Sequence, residues 1–191
     1  MSETYFEDQD FSGLNYTEEG FPKGEYEYCR FVNCHFANID LTDCSFADCT
    51  FEQCDLSMAS LQNTSFRTAK FLHCKLFGLH FEDCNTFLLA FEFEDCLLNV
   101  ASFVELKLKG IVFRRCELQE VDFTGADLNS AIFAESNCTK AIFENTNLQK
   151  ADFRTAYHFS IDPEINSIKQ AKFSRQNLMG LLEKYQLKIT E

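Results

Sequence analysis

Tryptophan is absent from this chain of 191 residues, and proline occurs only twice, at Pro22 and Pro163. Proline takes a donor out of a sheet, so the long proline-free interval between these two positions suits continuous strand structure. The 7 glycines are scattered and form no phosphate-cradling loop. Basic residues are few: 17 Lys and Arg stand against 30 Asp and Glu, for a net charge of −13. No basic stripe is present, so direct nucleic-acid binding is not expected. No apolar run approaches membrane-spanning length, so no membrane contact is expected either. The N-terminus, Met1-Ser2-Glu3-Thr4-Tyr5, is polar and acidic, unlike a signal peptide, and a reducing cytoplasm is the expected location.

What the chain has instead is phenylalanine, 22 of them, placed at a period of five. Phe11, Tyr16, Phe21, Tyr26, Phe31, Phe36, Leu41, Phe46, Phe51, Leu56, Leu61, Phe66, Phe71, Leu76 and Phe81 follow one another without a gap. A second run in a shifted phase extends from Phe93 to Phe153 and breaks at Cys138. Helices repeat at 3.6 residues and flat strands at 2, so neither explains this spacing. Two residues before most of these large centres stands Cys or Ala, as at Cys34, Cys54, Ala126 and Ala151. One large and one small side chain in each five therefore point inward. A unit this short cannot bury its own apolar residue and must stack on copies of itself.

Units such as Ala126-Asp127-Leu128-Asn129-Ser130 and Ala151-Asp152-Phe153-Arg154-Thr155 resemble those of the pentapeptide-repeat family, over about residues 26–157. The resemblance implies an all-β solenoid, a right-handed quadrilateral β-helix with four units per coil. Residues 20 apart should then stack. Phe11, Phe31, Phe51, Phe71 and Phe91 are expected to form one column. Phe93, Phe113, Phe133 and Phe153 form a second, Phe103, Phe123 and Phe143 a third, and Leu108, Leu128 and Leu148 a fourth. The two-residue phase shift falls near 82–87. It is either a tolerated slip or a short partner-contacting loop of Glu82, Asp83, Asn85, Thr86 and Phe87.

Ten cysteines raise the question of a metal or disulfides. Nine lie at the small inward position, Cys138 replaces a centre, and no C-x-x-C pair occurs. They read as small core residues, with columns Cys34-Cys54-Cys74 and Cys96-Cys116, and no metal or cofactor is expected. His35, His73, His80 and His158 have no metal-site or triad spacing, so no catalytic residue and no enzyme is expected. By the family resemblance, Asp40, Asp55, Asp122, Asp127 and Asp152 are structural, bonding to backbone at the coil corners.

Both ends of an open solenoid need covering. Residues 1–25 keep the centres but lose the small position, and read as an irregular acidic N-terminal cap. Residues 1–28 hold eight acids and one base. Residues 158–191 read as a turn at Ile161-Asp162-Pro163-Glu164, a last partial coil through Ile168 and Phe173, and a short C-terminal α-helix N-capped by Ser174. Leu178, Leu181, Leu182 and Tyr185 make an apolar stripe on that helix, which either closes its own subunit or forms a homodimer interface.

The tail Ile161-Asp162, Ile168-Lys169-x-Ala171-x-Phe173-Ser174 and Leu181-Leu182 is similar to the C-termini of Qnr-type quinolone-resistance and gyrase-toxin immunity proteins. That resemblance implies an end-to-end dimer that mimics DNA, binds DNA gyrase or topoisomerase IV, and relieves poisoned cleavage complexes. A generic interaction scaffold is the rival. About 6.5 coils at roughly 4.8 Å give about 30 Å per subunit, and a dimer of roughly 70–80 Å. With about −26 in charge, it carries roughly one charge per 3 Å, half the density of duplex DNA.

Overall fold

The computed structural model describes residues 4–188. Short strands stack in two parallel ladders. One joins Thr4–Glu7, Gly24–Glu27, Ser45–Ala47 and Ser65–Arg67. The other runs from Asp10–Ser12 through Arg30–Val32, Thr50–Glu52, Ala69–Leu72, Phe91–Glu94 and Val112–Arg114 to Ile132–Ala134. The register sets Phe31 beside Phe11 and Phe51, so one coil takes 20 residues and four five-residue units. The chain is an all-β solenoid, and its axis is filled by four inward columns.

The first column holds nine rings in sequence: Phe11, Phe31, Phe51, Phe71, Phe93, Phe113, Phe133, Phe153 and Phe173. Neighbours in it lie nearly parallel, as at Phe93 and Phe113, 5.4 Å apart and 3° from coplanar. The third column stacks in the same way, with Phe81 and Phe103 4.5 Å apart. Across the axis the two columns meet edge to face, Phe113 and Phe123 at 70°. Stacking along the coil and T-contacts across it are the two arrangements that the ring quadrupole favours.

The expected column through Phe91 is corrected. Phe71 pairs with Phe93, 22 residues on, and Phe91 pairs with Ala69. The register is still 20 at Ser65 and Asn85, and it becomes 22 by Ala69 and Phe91. The extra residues therefore lie within Thr86–Ala90, which shares only Thr86 and Phe87 with the expected segment. Thr86 is exposed and leaves the fourth column without a centre. Phe91 turns inward to fill the gap, 5.5 Å from Phe66 and 5.1 Å from Phe81. The two cysteine columns thereby become one: Cys34, Cys54, Cys74, Cys96 and Cys116, continued by Ser136.

All ten cysteines are buried and free. Volume is only part of their role. Cys54 Sγ donates to Phe31 O at 3.4 Å and accepts from Cys34 N–H at 3.4 Å. Ser136 does the same two jobs, donating to Phe113 O and accepting from Cys116 N–H. A buried backbone amide without a partner is costly, so this inward position favours small residues with an S–H or O–H. Burial pushes the Cys49 and Cys74 thiols up to about 12.

Most corners turn through a residue in the left-handed region two places after a centre. Asn33, Asn38, Asp43, Met58, Thr68 and Val100 are among them. The residue just before the centre often fixes the same corner with its side chain. Asp40, Asp55, Asp122, Asp127 and Asp152 each accept from the backbone N–H two residues on, at 2.8–3.2 Å.

The acidic N-terminal segment is more regular than expected. Its strands pair in register with the next coil, and Phe6 stacks on Tyr26 at 4.7 Å. A single α-helical turn, Tyr16–Glu19, is capped by Asn15, which accepts from Thr17 N–H at 3.2 Å. Gly24 stands at a small position because Thr4 O would lie 2.1 Å from any Cβ there.

The C-terminal α-helix is also corrected. Residues Leu178–Leu181 and Glu183–Tyr185 form two 3₁₀ turns. Asn177 explains the break. Its Nδ2 donates to Phe153 O and Ala156 O, both at 2.9 Å, so it caps the last coil, and its Oδ1 accepts from Ser174 N–H at 3.0 Å. Ser174 is thus held by Asn177 and caps nothing. Gly180 lies against Phe159, whose carbonyl O would stand 2.3 Å from a Cβ, and Gly180 O accepts from Ile161 N–H at 2.8 Å. These contacts outweigh the helical spacing of the leucines. Residues 1–3 and 189–191 of the two terminal segments lie outside the described residues.

Candidate functional site

The side chains that point outward sort by column, and their charges are unequal. Around the third column the units are 39–43, 59–63, 79–83, 101–105, 121–125 and 141–145. They contain Asp40, Asp43, Glu82, Asp83, Glu105, Asp122 and Glu144, and no Lys or Arg. Five of these seven carboxylates are exposed, while Glu82 and Asp122 are half-buried. Lys23, one coil before this strip, pairs with Asp40 at 2.5 Å and holds its carboxyl down at about 2.

Bases sit on the other columns, and six of them pair with acids one coil away. On the first column Arg30 meets Glu52 at 2.5 Å and Lys70 meets Glu92 at 3.6 Å, while Arg115 grips Asp95 at 2.8 Å and also Glu94. On the second, whose buried centres are Phe36, Leu56, Leu76, Leu98, Leu118 and Cys138, Lys75 faces Asp55 at 3.9 Å and Lys140 faces Glu120 at 3.3 Å. The net charge is therefore concentrated on one side of the rod. A sum over the sequence misses this; sorting residues by their place in the 20-residue coil reveals it.

The expected partner loop divides. Glu82 and Asp83 belong to a 3₁₀ turn, Phe81–Asp83, in the regular coil, where Glu82 Oε1 lies 3.0 Å from His80 Nδ1. Asn85 fixes the next corner by accepting from Phe87 N–H at 2.9 Å. Thr86 and Phe87 enter the bulge. Phe87 is 72% exposed, and Leu88, which sequence reasoning missed, is 62% exposed.

The expected dimer stripe divides as well. Leu178 and Tyr185 are exposed, Leu182 is half-buried, and Leu181 packs against the core. The last turns are tied down by Lys184, whose Nζ reaches Asp162 at 2.7 Å and Glu164 at 2.8 Å, and by Tyr185 Oη donating to Glu164 at 2.8 Å. Lys184 holds the Asp162 and Glu164 carboxyls below their ordinary range. Beside this segment runs an open groove of ≈ 930 Å³ lined by Tyr157, His158, Phe159, Met179 and Gly180 among others.

Among the described residues no three His, Cys, Asp or Glu gather in a way that could hold a metal ion. His73 reaches Asp95 at 3.8 Å, and His158 Nδ1 lies 3.2 Å from Thr139 Oγ1. Both contacts join neighbouring coils. No helix of the described residues is long and apolar enough to cross a membrane.

These features define a class. The model of the pentapeptide repeat region matches residues 25–92 and 80–153, and the chain belongs to the pentapeptide-repeat family. Among solved structures it is similar to QnrB1, a plasmid-mediated fluoroquinolone resistance protein. A trypsin-treated form of QnrB1 aligns at a TM-score of 0.70 and 17% identity, over 98% of this chain and 92% of that one. Full-length QnrB1 aligns at 0.57 and 20% identity, over 96% and 100% of the two chains. At these identities the likeness shows a shared fold. No curated protein sequence matches the chain.

Proposed function

We propose that this protein is a DNA-mimicking, non-enzymatic binder of DNA gyrase or topoisomerase IV, and that it protects its target from quinolones or peptide toxins. The observation that carries this reading is the base-free carboxylate strip along the third column. A surface of one sign steers a rod toward a basic groove, and the ion-paired first column leaves the strip as the dominant field. The likeness to QnrB1 along nearly the whole chain supports the same assignment. With it we take the coil to be right-handed and four-sided. We assign the protein to the cytoplasm, and its dimer to contact through Leu178, Leu182 and Tyr185 at the C-terminal end. The bulge of Thr86, Phe87 and Leu88 is assigned as a contact with the target.

A supercoiling assay with purified protein, gyrase and a quinolone tests the proposal. Restored supercoiling under drug, at protein levels that leave undrugged gyrase active, is the expected result. Inhibition of undrugged gyrase without rescue would reduce the protein to a competitor of DNA. No effect on gyrase or topoisomerase IV, with drug or with toxin, would leave a generic scaffold.

A further inference from the structure

One long edge of the carboxylate strip carries an apolar ridge. Met58, Phe77 and Val100 lie on three successive coils at the corner where the second column gives way to the third. The register is fixed by Met58 N–H donating to Phe77 O at 2.9 Å and by Gly78 N–H donating to Asn99 O at 3.1 Å. The three side chains are between 46% and 53% exposed.

Two features show that the ridge is built against the preferences of the fold. Met58 and Val100 occupy the left-handed corner position, at φ of 57° and 61°. A β-branched residue is strained there, and other coils set Asn38, Glu120 and Lys140 in the same column. Between Met58 and Val100 stands Gly78, where an added Cβ would lie 2.5 Å from Met58 Sδ. The missing side chain leaves the thioether a seat on the rod surface. Exposed apolar groups, two of them at left-handed corners, add nothing to the core, which is filled by the inward columns.

We infer that this ridge is the part of the binding surface that recognises protein, and that its partner is an apolar lip on the rim of the basic groove that receives the carboxylate strip. The inference rests on the proposed topoisomerase reading. Charge complementarity selects the occupant. A second copy of this chain would bring a like-charged strip against the strip beside the ridge, whereas a basic groove with an apolar rim satisfies both. Carboxylates alone would serve any DNA-binding surface. The ridge supplies affinity that salt does not screen, and with it a preference for one groove over others.

The test is a salt titration of binding to purified gyrase and topoisomerase IV. The ridge variant combines Met58→Asn, Phe77→Ser and Val100→Asn, which copy residues other coils use at those places (Asn38 and Ser57), so the fold is retained or stabilised. A thermal melt at or above the wild-type midpoint verifies this. The expected result is at least about a tenfold loss of affinity that persists at high salt, with an unchanged slope of log affinity against log salt. An Asp83→Asn, Glu105→Gln variant should instead flatten the slope. Equal affinity of the ridge variant and wild type at every salt concentration overturns the ridge and leaves the topoisomerase reading standing. Failure of the wild type to bind either enzyme overturns both.

Discussion

Thr68 shows how much of this fold is decided one residue at a time. It sits at φ 58° on an exposed corner, and no hydrogen bond holds its side chain there. The left-handed conformation costs a β-branched residue more than it costs Asn. Thr68→Asn is expected to raise stability by about 1 kcal/mol, measured by chemical denaturation. The need for this corner was not legible in the sequence, because the position accepts Asn, Asp, Met, Val and Lys alike and has no compositional signature. The inward positions were legible, since burial forces a large and a small residue into every five. What the spacing left hidden was the second duty of the small one. Cys, Ser and Thr satisfy a backbone amide or carbonyl of a neighbouring coil, as Cys54 does for Cys34, and that duty depends on register more than on volume.

At the scale of elements, the strands and their stacking could be read in advance, and the terminal segments could not. The leucines of 178–182 keep a helical spacing, yet Asn177 and Gly180 commit the segment to the end of the stack. Local period is a weak constraint when a neighbouring coil offers unpaired carbonyls. The segment should also respond to acid. Asp162 and Glu164 are held below their ordinary values, chiefly by Lys184. A depressed carboxyl stabilises the folded state above its unfolded pKa, and this contribution is lost as pH falls through the folded one. Docking of the last turns is therefore expected to be complete near neutrality and to weaken below about pH 4. Limited proteolysis followed across pH 2.5–7 would show cleavage after Lys184 or Tyr185 rising first, while the coils stay resistant. Lys184→Met should bring the cleavage after Tyr185 to neutral pH. Cleavage that begins in the coils, with the tail still docked, would contradict the assignment.

For the whole molecule, the distribution of charge carries more than its total. The mean density falls short of duplex DNA, but the third column holds seven acids and no Lys or Arg from residue 39 to 145. Two pairs of neutralising changes separate the strip from the average. Asp83→Asn with Glu105→Gln is expected to weaken topoisomerase binding several-fold at low salt. Glu25→Gln with Glu27→Gln removes the same charge from another side, and its effect should be smaller by about half or more. Equal losses, measured by surface plasmon resonance, would mean that net charge alone attracts the target.

The nine-ring column runs from Phe11 to Phe173 without interruption, but the fourth column does not. At the coil where Phe91 stands in for a missing centre, the 22-residue turn replaces a stacked ring with a tilted one. In a solenoid each coil is stabilised only by its two neighbours, so cooperativity is no stronger than the weakest junction. The rod is then expected to unfold as two blocks that meet at one seam, residues 4–85 and 91–188. Under denaturant or mechanical pull it would part there first, with amides of Thr86–Ala90 exchanging ahead of those on either side. A protein gripped along its length by a moving enzyme would yield at that seam before it lost the surface of either half.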